Sequence, residues 1–245
     1  MHKALLAYRD RMKQVGELVY DDQPCYPPLT DQDILALIRR SIDAILLRAP
    51  GAASARWVGD KTPAYATQLN GLNLLYPDAK LFHIVRDPRD LVASNLNFAL
   101  RAKVDVVTDA DARQRLIEAG MGRWRSSVMA VAAKAESLKD RLLELRYEDL
   151  QYDFADTFKK MVGHLDLKTY PALTEKIRHA TAFHTLSGGR RAGDSLSGAF
   201  YYSGTVGQHA ADLTAREVAL IEDQLQPLMS RFGYERAPSA KQAVG

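Results

Sequence analysis

The sequence predicts an α/β fold, because three passages each turn from a short apolar run into a helical pattern. The clearest starts at Leu81-Phe-His-Ile-Val85, a run of apolar and β-branched residues short enough for a buried strand. It turns through Arg86-Asp87-Pro88 into an apolar-periodic segment carrying Leu91, Val92 and Leu96. Pro88, near the first helical position, is preset for a helix start, where its missing N–H costs nothing. The second passage is a short strand at Trp57-Val58, then Gly59, then Pro63 opening a helix that bears Leu69, Leu72 and Leu75. The third is Leu142-Leu-Glu-Leu-Arg-Tyr-Glu-Asp-Leu150, read as a strand and its exit.

The remaining elements follow in order. Leu5, Tyr8, Met12 and Val15 recur at helical spacing, and a Pro- and Asp-rich connector runs from Asp21 to Pro28. Thr30 is an N-cap for a helix with Ile34, Ile38, Ile42 and Ile45 on one face and Arg39, Arg40 and Asp43 on the other. Residues 49–54 read as a loop. Beyond Arg101 and Lys103 a long helix carries Leu116, Met121, Trp124, Val128, Val131 and Ala135 on its apolar stripe, with Trp124 in the core. Phe154, Phe158, Met161, Val162 and Leu165 form a further amphipathic stripe whose aromatics read as core. Thr181-Ala-Phe183 and the Gly/Arg/Ser-rich stretch from Ser187 to Gly198 read as mobile loop. Thr214-Ala-Arg-Glu217 is a capping box opening a last helix with Val218, Ile221, Leu225 and Leu228. An Ala/Ser/Lys tail closes the chain.

With 245 residues, 47% of them hydrophobic, the chain can bury one sizeable core without staples. The expected organisation is a single domain: a helical N-terminal part over 1–55, a core over 56–236 and a flexible tail over 237–245. Thirty-three Lys and Arg against 30 Asp and Glu leave +3, too small a surplus to argue for nucleic acid and compatible with a small polyanion held locally. The single cysteine, Cys25, excludes an internal disulfide and suits a reducing compartment. The first residues are charged throughout and lack the apolar centre of a signal peptide. No run approaches the ~20 apolar residues of a membrane span. A cytoplasmic, soluble protein is the expectation. Six histidines and one cysteine show no metal-ligand spacing, so no metal is implied.

The chemistry concentrates at Arg86. A strand that delivers an arginine at its carboxyl end, beside a helix N-terminus, meets the needs of an anion site. The guanidinium offers a bidentate fork, and the helix end offers N–H groups and a favourable dipole. Ser94, eight residues on, adds a hydroxyl to the same anion. The bland alternative is that the charges of Arg86-Asp-Pro-Arg-Asp90 neutralise one another on the surface. Asp60, Lys61 and Thr62 sit at a second strand-to-helix turn, where a second anion-binding edge belongs. This turn is not a Walker A loop, since the Gly-x-x-x-x-Gly-Lys-Ser/Thr spacing is absent. Its bland alternative is a capping Asp60 beside a solvated Lys61.

From about Trp57 to Tyr234 these residues resemble the sulfotransferases that use 3'-phosphoadenosine 5'-phosphosulfate (PAPS). Arg86 and Ser94 match the residue types and spacing of that family's 3'-phosphate motif. Asp60-Lys61-Thr62 resembles the acid-Lys-Thr/Ser turn that precedes it, with Lys61 and Arg86 25 residues apart. Tyr147-Glu-Asp resembles the strand end whose tyrosine packs on the adenine. Thr181-Ala-Phe183 resembles a Thr-x-Phe segment that touches it, and Gly204 and Gly207 match the glycines of a late loop that closes on the 3'-phosphate. Tyr202 and Ser203 stand where that loop's cations would be, a loss of ~1.5–3 kcal/mol per charge-assisted bond unless Arg190 or Arg191 substitutes.

The resemblance implies a P-loop-NTPase-like parallel sheet flanked by helices. It implies PAPS as donor, PAP as product, no metal, and transfer to a hydroxyl or amine of a small-molecule, carbohydrate or lipid acceptor. Arg86 and Ser94 would hold the 3'-phosphate, and Tyr147, Thr181, Phe183 and Gly204 the rest of the nucleotide. Lys61 would face the sulfuryl or bridging oxygen, and Asp60 would be the base, since Pro63 occupies the position of the cytosolic branch's histidine. His83 reads as a packing residue; His184 and His209 are reserve candidates. The family's first strand, with its 5'-phosphosulfate loop, has no counterpart before Trp57, and Gly16-Glu-Leu-Val-Tyr20 is the only local candidate strand. Either the sequence starts downstream of the true first strand, the favoured explanation, or another segment or subunit fills the gap. The alternatives to a transferase are a non-catalytic nucleotide-binding relative and, disfavoured for want of a Walker loop, a P-loop kinase.

Overall fold

Two five-residue strands, β1 (Leu81–Val85) and β2 (Leu142–Arg146), pair in parallel, with Leu81 opposite Leu142 and Val85 opposite Arg146. They are the whole sheet among the described residues, which are 2–19 and 29–236 of this computed structural model. The connector from Asp21 to Pro28 and the tail from residue 237 lie outside them. The fold is α/β, mostly helical with a small parallel sheet. Contacts divide the chain into two compact units, Met1–Ala79 and Lys80–Gly245.

The first unit contains α1 (His2–Val19), α2 (Asp31–Leu46) and α3 (Leu69–Leu75), with short 3-10 segments at Ala52–Ser54 and Pro63–Gln68. Thr30 caps α2 in a reciprocal box. Its hydroxyl accepts the Asp33 N–H (3.1 Å), and its own N–H donates to the Asp33 carboxylate (2.8 Å). Ile34 is buried, but Ile45 is 64% exposed, so the apolar stripe of α2 fades before the helix ends. Two strand expectations fail here. Gly16 to Val19 belong to α1, and Tyr20 is outside the described residues. Trp57 and Val58 form no strand and are both more than a third exposed. One apolar pair followed by Gly59 offers too short a ladder to hold a neighbouring strand, whereas β1 and β2 each bring five residues. Tyr76 donates its hydroxyl to Asp43 (2.9 Å) under the Arg39 guanidinium; burial and then Asp43 push its phenol up to about 12.

In the second unit α4 (Pro88–Arg101), α5 (Ala110–Ala132) and the short α6 (Ala135–Leu138) connect β1 to β2. Then come α7 (Tyr147–Tyr152), α8 (Phe154–His164), α9 (Pro171–Thr181), α10 (Phe183–Leu186), α11 (His209–Asp212) and α12 (Ala215–Ser230). The core lies where β1, α4, α5 and α12 meet, around Val85, Val92, Trp124, Ile221 and Leu225. A glycine lets α4 and α5 approach: a Cβ on Gly120 would lie 3.1 Å from Val92 Cγ2 and 3.3 Å from Asn95 Nδ2. Trp124 is core, as expected. Phe154 and Phe158 are not; they stack on each other half-buried, and Thr157 is the buried residue of α8. The Thr214–Glu217 box opens α12, and Glu217 also receives the Arg113 guanidinium (2.6 and 3.0 Å).

The segment after α12 returns to β1. The Tyr234 hydroxyl donates to Glu148 (2.7 Å) and lies 3.2 Å from the Val85 carbonyl, in a buried position. Burial, then the Glu148 carboxylate, drives the phenol far above its ordinary value. Tyr234→Phe keeps the packing and deletes that bond. The expected loss is about 1–2 kcal/mol, read as a fall of roughly 2–4 °C in Tm per kcal/mol; an unchanged Tm contradicts this role.

Candidate functional site

The two arginines of Arg86-Asp-Pro-Arg-Asp90 have opposite surroundings. Arg89 is buried and held by carboxylates. Its Nε donates to Asp87 Oδ1 (3.0 Å), Nη2 to Asp87 Oδ2 (2.6 Å), and Nη1 to Glu222 Oε1 (2.6 Å) and the Glu235 carbonyl (3.0 Å). Burial disfavours its charge, yet Asp87 and Glu222 overcome that and raise its pKa. Mutual neutralisation therefore describes Arg89, but in the interior rather than on the surface. Arg86 is different. Its guanidinium lies 4.8 Å above the Tyr147 ring, and Nη2 stands 3.7 Å from Asp90 Oδ2, beyond hydrogen-bond length. Its Nε is buried with no hydrogen-bond partner, and the side chain is 25% exposed.

Local chemistry fixes this turn. Asp87 caps α4 by accepting the Arg89 N–H (2.9 Å), and the Asp87 N–H donates to buried Glu148 at the start of α7 (3.0 Å). The expectation of free N–H groups at the helix end is thereby corrected for these two amides. Carboxylates of the chain already occupy them. Trp124 Nε1 donates to the Arg86 carbonyl (2.9 Å), tying the backbone of Arg86 to the core.

Asp90 brings a distant loop to the same place. Its side chain is fully buried, and its oxygens accept the Gly207 N–H (2.7 Å) and the His209 N–H (3.0 Å) and bond His209 Nδ1 (2.6 Å). Burial pushes the Asp90 carboxyl up, but the bonds from His209 and Gly207, with Arg86 nearby, hold it below the usual carboxylate range. Upstream, Gly204 has φ +65 and meets Phe183 so closely that a Cβ would lie 2.2 Å from its ring. Arg190 covers Phe183 at 5.0 Å and donates to the Asp194 and Tyr202 carbonyls (2.9 and 2.8 Å) and to that of Tyr201. A cleft of about 290 Å³ opens here, lined by Gln151, Tyr152, Ala192, Gly204, Thr205 and Val206.

The structure thus joins Arg86 to Tyr147 and Phe183 to Gly204. Ser94 lies on α4, half-buried. Thr181 and Phe183 are helical rather than loop residues: Thr181 ends α9 with its hydroxyl donated to the Ile177 carbonyl (2.8 Å), and Phe183 opens α10. Asp60 and Lys61 belong to the first unit, on the exposed segment before Pro63, where Asp60 accepts the Tyr65 hydroxyl. Arg190 is engaged by carbonyls rather than set free as a replacement cation. Asp90 and Glu148 escaped sequence reading; the one available signal was the helical four-residue spacing of Arg86 and Asp90. Among the described residues no group of three or more His, Cys, Asp or Glu is placed to hold a metal ion. Nor is any helix among them long and apolar enough to cross a membrane.

A model of the sulfotransferase family matches residues 7–171, more than half of the chain. The chain belongs to the sulfotransferase family. Among solved structures, the chain is similar to mouse sulfotransferase SULT7A1 complexed with PAP, at 20% identity and a TM-score of 0.48. The likeness covers 62% of this chain and 58% of the mouse one. No curated protein matches the sequence.

Two predictions follow from the loop and its anchor. Because the folded pKa of Asp90 is depressed, its ionised form stabilises the protein fully above the ordinary carboxylate range and less as pH falls through the lowered value. The stability gap between wild type and Asp90→Asn should be constant above about pH 5 and narrow below about pH 4; a gap independent of pH contradicts it. Gly204→Ala should loosen the loop by forcing Phe183 away, costing about 1–3 kcal/mol and speeding proteolytic cleavage between residues 187 and 208.

Proposed function

We propose that this sulfotransferase moves a sulfuryl group from PAPS to a hydroxyl or amine of a small-molecule, carbohydrate or lipid acceptor, releasing PAP. The observation that carries the reading is Arg86: a cation at the carboxyl end of a parallel strand, with a buried Nε lacking a hydrogen-bond partner, beside an Arg89 held by carboxylates. A buried donor left unpaired costs about 1–3 kcal/mol, and a phosphate oxygen supplies the missing acceptor bidentately. In this reading Arg86 and Ser94 hold the 3'-phosphate, and Tyr147, Thr181, Phe183 and Gly204 bound the nucleotide.

The transfer breaks the bond between sulfur and the bridging oxygen and forms one to the acceptor's oxygen or nitrogen, whose proton passes to a base. Charge moves onto the departing phosphate, so catalysis rests on positioning and electrostatics. Lys61 would stabilise that charge and Asp60 would take the proton. A second reading, nucleotide binding without transfer, is favoured by one observation: Asp60 already accepts the Tyr65 hydroxyl.

At a concentration ~100-fold above Kd, 3',5'-ADP should add about 2.7 kcal/mol, several degrees in Tm, while ADP and 5'-AMP give little. Arg86→Ala should abolish that rise; unchanged binding removes the assignment. Asp60→Asn should cut turnover and leave nucleotide binding intact, and Tyr65→Phe, which frees the carboxylate, should not cut it. Normal turnover in Asp60→Asn excludes Asp60 as base.

A further inference from the structure

The geometry points to His209 as a second ligand of the same anion, held for that task by Asp90; this rests on the reading of Arg86 as a 3'-phosphate site. Asp90 is a fully buried carboxylate that faces Arg86 with one oxygen and His209 with the other. Arg86 Nη2 is 3.7 Å from Oδ2, and His209 Nδ1 is 2.6 Å from Oδ1. Two cation-capable side chains thus share one carboxylate, which sets them side by side at fixed spacing. The backbone repeats the constraint, since the Gly207 and His209 amides also donate to Asp90.

Three other polar groups of the loop are committed elsewhere. Ser203 is buried and bonded to Thr205, the Tyr202 hydroxyl donates to Asp212, and the Arg190 guanidinium is taken by three carbonyls. With Nδ1 on Asp90, the ring nitrogen left for a ligand is Nε2, and the side chain is 17% exposed. Donation from both ring nitrogens at once is the property of the imidazolium form. On its own segment the nearest charged residue is Asp212, held by Tyr202 and Gln208. A phosphate monoester dianion fits between a guanidinium and an imidazolium; a phosphodiester, with one charge, fits it less well.

The bland alternative makes His209 a strut that only fastens the loop to Asp90. Two substitutions separate the roles. His209→Asn keeps a side-chain amide near the Nδ1 position for Asp90 and loses the Nε2 group; His209→Gln reaches the Nε2 position and gives up the Nδ1 bond. Titration calorimetry with 3',5'-ADP and with 5'-AMP, on wild type, both His209 variants and Arg86→Ala, is the test, with Tm recorded for each protein. The expected result is that His209→Asn binds 3',5'-ADP about tenfold or more weakly, with 5'-AMP unaffected, and that His209→Gln recovers part of the loss. If Arg86→Ala abolishes binding while His209→Asn binds like wild type, His209 is only a strut and the inference is overturned, the site remaining. If Arg86→Ala binds like wild type, the 3'-phosphate site itself is wrong and this inference falls with it.

Discussion

The organisation of this protein depends on how buried charge is distributed at the turn from β1 to α4. Asp87, Asp90, Glu148 and Glu222 are all buried there, as is Arg89. Removing carboxylates from water is costly unless each is matched by donors with good geometry. Arg89 matches Asp87 and Glu222, the Asp87 amide and the Tyr234 hydroxyl match Glu148, and the 207–209 backbone with His209 matches Asp90. Because these pairs are complete among themselves, Arg86 is left with an aromatic ring beneath it and an open guanidinium. A rigid frame of matched charges around Arg86, whose Nε is buried without a hydrogen-bond partner, is the basis of the proposed anion site.

The same frame ties remote segments to the site. Glu222 comes from α12, Glu148 from α7, and the loop before α11 reaches Asp90 across 119 residues of sequence. The single strand-to-helix turn therefore acts as a hub for elements from both halves of the second unit. Membership of the sulfotransferase family gives the hub its chemical context, and the proposed ligand is a 3'-phosphorylated nucleotide.

What could be read from sequence was what local physics decides. The short run Leu81 to Val85, four apolar residues and His83, followed by Arg-Asp-Pro, dictated β1 and the start of α4, and Leu142 to Arg146 dictated β2. Thr30 and Thr214 announced their helices through cap chemistry. Arg86 stood out as a candidate because strand, arginine and helix start follow in order. What failed was what partners decide. Trp57-Val58 has β-forming residues but forms no strand among the described residues, Ile45 keeps the helical period yet is 64% exposed, and Phe154 and Phe158 stack on each other rather than joining the core. Asp90 was illegible for the same reason. Its sequence neighbours suggest a surface charge, and only the long-range bonds to Gly207 and His209 reveal a buried anchor.

The most direct measurement of the open cation is the NMR signal of its Nε–H group. In protein labelled with 15N-arginine, the Arg86 and Arg89 signals are assigned by Arg→Lys substitution, and 3',5'-ADP is then titrated in. The Arg86 Nε–H is predicted to shift strongly, while the Arg89 signal, already bonded to Asp87, stays in place. A titration in which Arg86 does not respond, or in which Arg89 responds instead, would contradict the division of charge on which the proposed site rests.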